Sequence, residues 1–239
     1  MTDSLIGQPA NDTQLERFEG APASLAAGRG RRTAVFCFST WALGRGQLPL
    51  WQALAASLPG DAEVVGVAAE VEGERWLRAY LRDARVKFSV LLDRKNTIGG
   101  AYGFKAGPNV LMFDEAGTLV YRRLYDASLR KADCRDEIEG FLLRNVRPPV
   151  RTVDRSMAPL PGSQEAFAEA VDLYLAGDLK GCRVPWRRSI DLDREHWISQ
   201  EQLWVLDAPE RFHPYIDVPW QNEQLAAEGR PVCACEIEE

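Results

Sequence analysis

Two cysteines come close together near the C-terminus, where Cys233 and Cys235 flank a single alanine. Such a pair can close a strained disulfide or bind a soft metal ion, because thiolates suit zinc and copper(I). A structural zinc site uses four ligands, so two thiolates alone make an incomplete site. We treat the pair as the candidate catalytic site, and an inert tail is the alternative. No cofactor is expected apart from such a soft metal ion.

The remaining cysteines and the two histidines have simpler interpretations. Cys37 lies in an apolar strand, Cys134 begins a helix, and Cys182 lies between two helices. A free cysteine in these settings packs as a small apolar residue, so we expect structural roles for all three. For His196 we expect a capping or surface role. His213 would join a metal site only if it lay near the cysteine pair.

The first 146 residues alternate short apolar strands with amphipathic helices. Strands are expected at 33–38, 62–69 and 88–93 and as a hairpin over 109–124, with helices at 48–58, 73–84, 97–102 and 134–146. Strands separated by helices pair in parallel, and the hairpin adds an antiparallel strand. The predicted fold class is therefore α/β, a mixed sheet covered by helices on both faces.

A second, helical unit follows a segment rich in proline and polar residues. We expect a first domain over residues 1–147, a linker over 148–163 and a helical extension over 164–239 that ends in the cysteine-containing tail. The residue pattern of the extension predicts a helix, a Gly-Asp turn and a second helix, followed by a third helix over 199–209. Pro185 predicts that the second helix starts late or kinks. Four tryptophans should pack this unit on the first domain or on a partner chain: Trp186, Trp197, Trp204 and Trp220.

Composition limits the partners and the compartment. The net charge of −6 argues against general binding to nucleic acid or to an anionic membrane. No apolar run is long enough for a signal peptide or a membrane span, and five cysteines do not suggest an extracellular disulfide framework. We therefore expect a cytoplasmic protein whose helical extension binds a protein or peptide partner. The sequence carries no signal for an oligomeric state.

Several segments in order carry a family resemblance. They are VFCFSTWALGRGQLP, VVGVAAE and FSVLLDRKNTIGGAYGFKAGPNVLMFDEAGTLVYR. Residues 5–145 thereby resemble the thioredoxin-fold redoxins, particularly the TlpA/ResA branch of the AhpC/TSA-like group that also holds the peroxiredoxins. The resemblance implies a thioredoxin-like sheet and thiol–disulfide oxidoreductase activity. The extension, with LYLAGDLKGC, resembles a single tetratricopeptide-type helical hairpin.

The chain departs from this family at the active-site turn. Counted from Trp41, the two cysteine positions of the family fall on Ala42 and Arg45. Counted back from Pro49, they fall on Trp41 and Gly44. Neither alignment recovers a cysteine, and the dithiol mechanism requires a thiolate at this helix start. The sequence therefore excludes that mechanism at the turn, and the missing Thr-x-x-Cys excludes a peroxiredoxin-type one.

The frame of the family's groove is nevertheless present. Pro108 matches the family's cis-proline, and the resemblance implies that the backbone of Gly107 pairs with an extended substrate. Arg45, at a helix start, can hold an anion or a carboxylate. The candidate binding residues are therefore Trp41, Ala42, Arg45, Gly107 and Pro108. The alternatives are a purely structural Gly-Pro turn and a solvent-facing arginine.

Two functional hypotheses follow. In the first, the chain is a noncanonical thiol–disulfide oxidoreductase that uses Cys233 and Cys235. In the second, it is a redox-inactive thioredoxin-like module with a degenerate active site. Such a module would bind a peptide, a small molecule or a partner protein in the old groove.

Overall fold

A computed structural model describes residues 4–150 and 158–230. Within these ranges six strands form one sheet in the order β1-β4-β3-β2-β5-β6. The strands are β1 (Glu16–Arg17), β2 (Arg32–Phe38), β3 (Ala62–Ala68), β4 (Ser89–Leu92), β5 (Asn109–Phe113) and β6 (Leu119–Arg123). The helices are α1 (Leu48–Ala56), α2 (Glu74–Asp83), α3 (Thr97–Tyr102), α4 (Ala132–Arg144), α5 (Ser163–Leu175), α6 (Arg183–Leu192), α7 (Trp197–Asp207) and α8 (Val218–Ala227).

The centre of the sheet is β2, which is buried along its whole length. It pairs in parallel with β3 and antiparallel with β5, so neither of its edges is free. Phe36 on this strand stacks on Trp51 of α1, with ring centroids 4.8 Å apart. This packing fixes α1 on one face of the sheet. The mixed α/β fold expected from the sequence is confirmed.

Most predicted elements are present, with ends that differ by one or two residues. Strands separated by helices were expected to pair in parallel, but β5, which follows α3, pairs antiparallel with β2. Helix α3 does not return the chain to the opposite end of the sheet. The chain leaves β4 and enters β5 at the same end of the strands, where Asn109 pairs with Cys37. Consequently β5 runs antiparallel to β2, as does β6 to β5. Two elements were not predicted, the short edge strand β1 and the last helix α8.

The helical extension packs directly on the first domain. Trp186 and Phe167 belong to the same apolar cluster as Val35 and Trp41. Helix α6 begins at Arg183 and carries its proline in the first turn, where no backbone hydrogen bond is lost. The late helix start is therefore confirmed, as is packing on the first domain. The tetratricopeptide likeness stays a prediction.

His196 caps the extension's third helix. It is the N-cap residue of α7, and its Nδ1 accepts a hydrogen bond from the backbone N–H of Ser199 at 3.1 Å. A capping role is confirmed, but at the start of α7 rather than at the end of the preceding helix, and the side chain is buried rather than on the surface. No helix within 4–150 or 158–230 has the length and apolarity needed to cross a membrane.

A buried ion pair joins the two units. Lys105 Nζ lies 2.9 and 3.0 Å from the carboxylate oxygens of Asp193, and both side chains are almost fully buried. The same carboxylate accepts the backbone N–H groups of Leu160 and Glu195. Ile198 then donates its N–H to the carbonyl of Lys105 at 3.0 Å. The segment before β5 is thus tied to the start of α7.

We expect Lys105→Met to destabilise the protein by about 3 to 5 kcal/mol, because it leaves the buried carboxylate of Asp193 without a counter-ion. Adding Asp193→Asn should recover part of that loss, since a neutral amide needs no cation. Urea denaturation of the three proteins measures both effects. A loss of stability that the second substitution deepens would contradict this account.

Candidate functional site

The turn after β2 meets the Gly107–Pro108 segment at the carboxyl end of the sheet. Residues 43–47 form a short 3₁₀ helix that leads into α1, and the Gly107–Pro108 peptide bond is cis. A Cβ atom added at Gly44 would lie 3.2 Å from Cβ of Pro108. The turn therefore approaches the proline closely through a residue without a side chain. Gln47 fixes the turn from the other side, donating to the carbonyl of Ala127 at 3.1 Å.

Arg45 binds the helical extension. Its Nη1 donates to the carbonyl of Phe212 and to the hydroxyl of Tyr80, both at 2.8 Å, and also to the carbonyl of Thr40. Its Nη2 donates to the carbonyl of Pro214 at 2.7 Å. The guanidinium is half-buried and lies 4.6 Å from the centre of the Tyr80 ring. The arginine therefore does not face solvent: it holds residues 212–214 of the extension over the turn.

Trp41 and Ala42 do not line an open groove. The Trp41 side chain is 2% exposed and donates its Nε1–H to the carbonyl of Ala69 at 3.2 Å. Gln202 of α7 donates to the same carbonyl at 2.7 Å, so the extension covers this part of the turn. Ala42 packs at the margin of the same apolar core. The role of Trp41 and Ala42 in ligand binding stays a prediction, and the chain's own α7 occupies this side of the turn.

The other side of the turn is open. Gly107 is exposed and Pro108 is half-buried, on the rim of a cleft of about 420 Å³. Leu43 and Tyr215 are its exposed apolar residues, with 44% and 82% of their surfaces accessible. Arg130 and Lys131 add positive charge to the opposite wall. Of the five predicted binding residues, Arg45 and Pro108 line this cleft, and Gly107 lines a separate small cavity together with Trp41.

A buried polar cluster beside Arg45 was not predicted. Glu70 follows β3, is 2% exposed and accepts the backbone N–H of Thr40. Burial raises the pKa of Glu70 to about 8, although the hydrogen bond from Thr40 opposes the shift. His213 stacks on Trp76 at 4.1 Å between ring centroids, and its Nδ1 lies 3.0 Å from the Tyr80 hydroxyl.

The histidine of this cluster is neutral at physiological pH. Burial, and then the positive charges of Arg45 and Arg75, lower the pKa of His213 to about 4. A protonated imidazole would be repelled by the guanidinium beside it. The cluster therefore joins a protonated carboxylic acid, a neutral imidazole and one cation at the contact between the first domain and the extension.

One signal in the sequence pointed to this cluster. Glu70 comes directly after a buried parallel strand, and ligand sites of open α/β sheets lie at the carboxyl ends of such strands. Trp76, Tyr80 and His213 gave no comparable signal. They come together only because residues 212–214 fold back over the start of α2.

The described cysteines provide no reactive thiol. Cys37, Cys134 and Cys182 are free and buried, and burial raises the pKa of each thiol. The structural roles expected for these three therefore hold. Cys233 and Cys235 lie outside the described residues. Within 4–150 and 158–230, no three His, Cys, Asp or Glu side chains are grouped as metal ligands.

Arg45→Ala should destabilise the protein by about 3 kcal/mol, because buried carbonyls of the turn and of the extension lose their donor. It should also release the segment around the exposed Tyr215. Chymotrypsin cleavage after Tyr215 should therefore accelerate several-fold, while the exposed Arg187→Ala on α6 should leave it unchanged. Equal cleavage rates in all three proteins would refute the contact.

Glu70 predicts a pH dependence of stability. Its folded pKa lies above its unfolded value, so the native state binds more protons between about pH 4.5 and 8 and loses stability as the pH rises through that window. The isosteric Glu70→Gln keeps an acceptor for Thr40 but does not titrate. Relative to this variant, the wild type should lose up to about 1.4 kcal/mol per pH unit over that window. Parallel curves from urea denaturation at pH 6 to 8 would contradict the shift.

Comparison with known structures returned thiol–disulfide proteins of low sequence identity. The thioredoxin domain of a thiol-disulfide oxidoreductase from Bacteroides vulgatus is 17% identical, covering 59% of this chain and 99% of that one, with a TM-score of 0.49. A secreted Mycobacterium tuberculosis disulfide oxidoreductase is 18% identical, covering 49% and 86%, with a TM-score of 0.42. A thiol-disulfide isomerase from Corynebacterium glutamicum is 17% identical, covering 49% and 86%, with a TM-score of 0.43.

The comparison with curated proteins gave no match. The model of the AhpC/TSA family matches residues 6–122, from the segment before β1 to β6. This range holds the six-stranded sheet, the turn and the Gly107–Pro108 segment. Residues 6–122 are therefore similar to the AhpC/TSA family.

Proposed function

We propose that this chain is a redox-inactive binding module that takes an extended peptide in the cleft beside Gly107 and Pro108. The observation that carries the proposal is Arg45. It occupies a position of the family's active-site turn and donates its hydrogen bonds to the carbonyls of Phe212 and Pro214. A thiolate at this turn would have to leave the groove free for a disulfide substrate. Here an arginine uses the same place to hold the extension.

The open half of the groove suits a peptide. Gly107 offers an exposed backbone without a side chain, which leaves room for a second strand to approach. Leu43 and Tyr215 provide apolar contacts, and the cleft volume of about 420 Å³ accommodates two or three side chains. Arg130 and Lys131 lie in the lining together with Asp126, whose carboxylate is 3.7 Å from Lys131, so the cleft carries groups of both charges. Recruitment of a partner through the helical extension and a cytoplasmic location are compatible with this proposal.

The alternative is thiol–disulfide exchange, the activity that the family resemblance implies, carried out by the noncanonical pair Cys233 and Cys235. Insulin reduction by dithiothreitol, measured with the wild type and with Cys233→Ser/Cys235→Ser, separates the two. We expect neither protein to accelerate the reaction above the reagent alone, while a thioredoxin control does. Acceleration by the wild type that the double variant loses would establish the oxidoreductase and end our proposal.

Binding is tested with a random twelve-residue peptide library displayed on phage. Peptides enriched on the wild type should lose at least ten-fold in affinity for Leu43→Arg, which fills the cleft from an exposed position. The matched control is Leu179→Arg, at an exposed leucine between α5 and α6. Failure to enrich any peptide, or equal loss in both variants, would overturn the binding function.

A further inference from the structure

A basic groove lies at the opposite end of the sheet from the turn. It runs between the C-terminal half of α2 and the edge formed by β1 and β4, with a volume of about 800 Å³. Its cations, which define the basic groove, are Arg17, Arg78, Arg82, Arg85 and Lys87. Glu19 is the acidic residue of the lining. The groove is thus strongly positive on a chain whose net charge is −6.

The cations of the groove are only partly neutralised. Arg78 pairs with Glu74, and Arg82 pairs with the neighbouring Asp83, both in exposed positions where an ion pair contributes little. In the part of the chain that the structure describes, Arg17, Arg85 and Lys87 have no carboxylate within ion-pair distance. Without an anionic ligand, their mutual repulsion opposes folding.

Two polar groups in the groove lack hydrogen-bond partners. Nε of Arg17 and Oγ of Ser89 are both buried and unpaired. Arg17 pairs with Leu91 across the β1–β4 ladder, so Arg17, Ser89 and Leu91 share one face of the sheet. Phe18, Phe88 and Val90 point to the other face, on which α2 packs. The two unpaired groups therefore lie at the margin of the groove, and the positive charge of the groove remains the observation that points to a ligand.

We infer that the basic groove binds a short acidic peptide segment of a partner protein. Arg78 and Arg82 lie one helical turn apart on α2, with a step of about 5 to 6 Å, and Arg85 follows two residues after the helix ends at Asp83. Alternate side chains of an extended peptide are about 6.6 Å apart, which is close to the step from Arg78 to Arg82. The half-buried Phe88 in the lining receives an apolar residue between the acidic ones.

A peptide fits better than a nucleic acid. The ring of Phe18 is covered by the guanidinium of Arg78 at 4.9 Å, so it offers no free face for stacking of a base. A long polyanion would also extend beyond the groove on to a surface that is negative overall. A short acidic segment would contact only the basic groove and not the negative surface around it. This site is separate from the cleft beside Pro108 and does not depend on the proposed function.

The test uses a fluorescein-labelled octapeptide of alternating glutamate and leucine, followed by fluorescence anisotropy. The full-length wild type should bind it with an affinity that falls as salt rises, and Arg82→Glu/Arg85→Glu should weaken binding at least ten-fold. Both arginines are exposed, so the fold should survive, which circular dichroism checks. The control Arg187→Glu/Arg188→Glu, on the exposed face of α6, and Leu43→Arg in the other cleft should bind like the wild type.

Three results would overturn the inference. They are no binding of the acidic peptide, an equal loss in the α6 control variant, and tighter binding of a ten-nucleotide oligo-uridine RNA than of the peptide. A lysine–leucine octapeptide should not bind, and its binding would show that the groove does not select for negative charge.

Discussion

The guanidinium of Arg45 is the contact on which the arrangement at the carboxyl end of the sheet depends. It joins Thr40 of the turn, Tyr80 of α2 and the carbonyls of Phe212 and Pro214 in the extension. Arg45 is a donor to the carbonyls of Thr40 and Phe212, while the carbonyl of Pro214 also accepts the hydroxyl of Tyr80 at 3.3 Å. One guanidinium therefore donates hydrogen bonds to three separate parts of the chain: the turn, α2 and the extension. A shorter or neutral side chain could not reach all of them.

The rest of the contact between the two units follows from that arrangement. Helix α7 of the extension also contacts the first domain. Gln202 donates to the carbonyl of Ala69 after β3, and Ile198 N–H donates to the carbonyl of Lys105 before β5. The Lys105–Asp193 pair anchors the far end of the same surface. The result is one continuous apolar core that includes Trp41 and Trp186. The turn after β2 is thus part of an internal contact between the first domain and the extension.

The backbone elements around the turn could be predicted from the sequence, but the contacts of Arg45 could not. The apolar run of β2, the Leu-Pro at the start of α1 and the Gly107-Pro108 segment are local signals, and all three elements are where they were expected. The partners of Arg45 could not be predicted, because Phe212 and Pro214 lie 167 and 169 residues away along the chain. No periodicity or spacing reports a contact of that range.

Two further omissions have different physical causes. Helix α8 starts with Asp217 as a cap, whose carboxylate accepts the N–H of Trp220, and carries a proline in its first turn. These are standard start signals, but the surrounding prolines and aromatic residues obscured them. Glu70 was missed because a carboxyl group is seldom buried without a cation bound directly to it. Its burial is set by the turn and by α7 folding over it.

Hydrogen–deuterium exchange on the unmodified protein tests the central claim, that the extension closes one side of the turn after β2. In the closed arrangement Ile198 N–H bonds to the carbonyl of Lys105, and Asp217 N–H bonds to the carbonyl of Arg211. Peptides covering residues 40–47 and 198–217 should therefore exchange far more slowly than an unstructured chain. Exchange of both peptides at the rate of an unstructured chain would show that the turn is open, and would contradict the account.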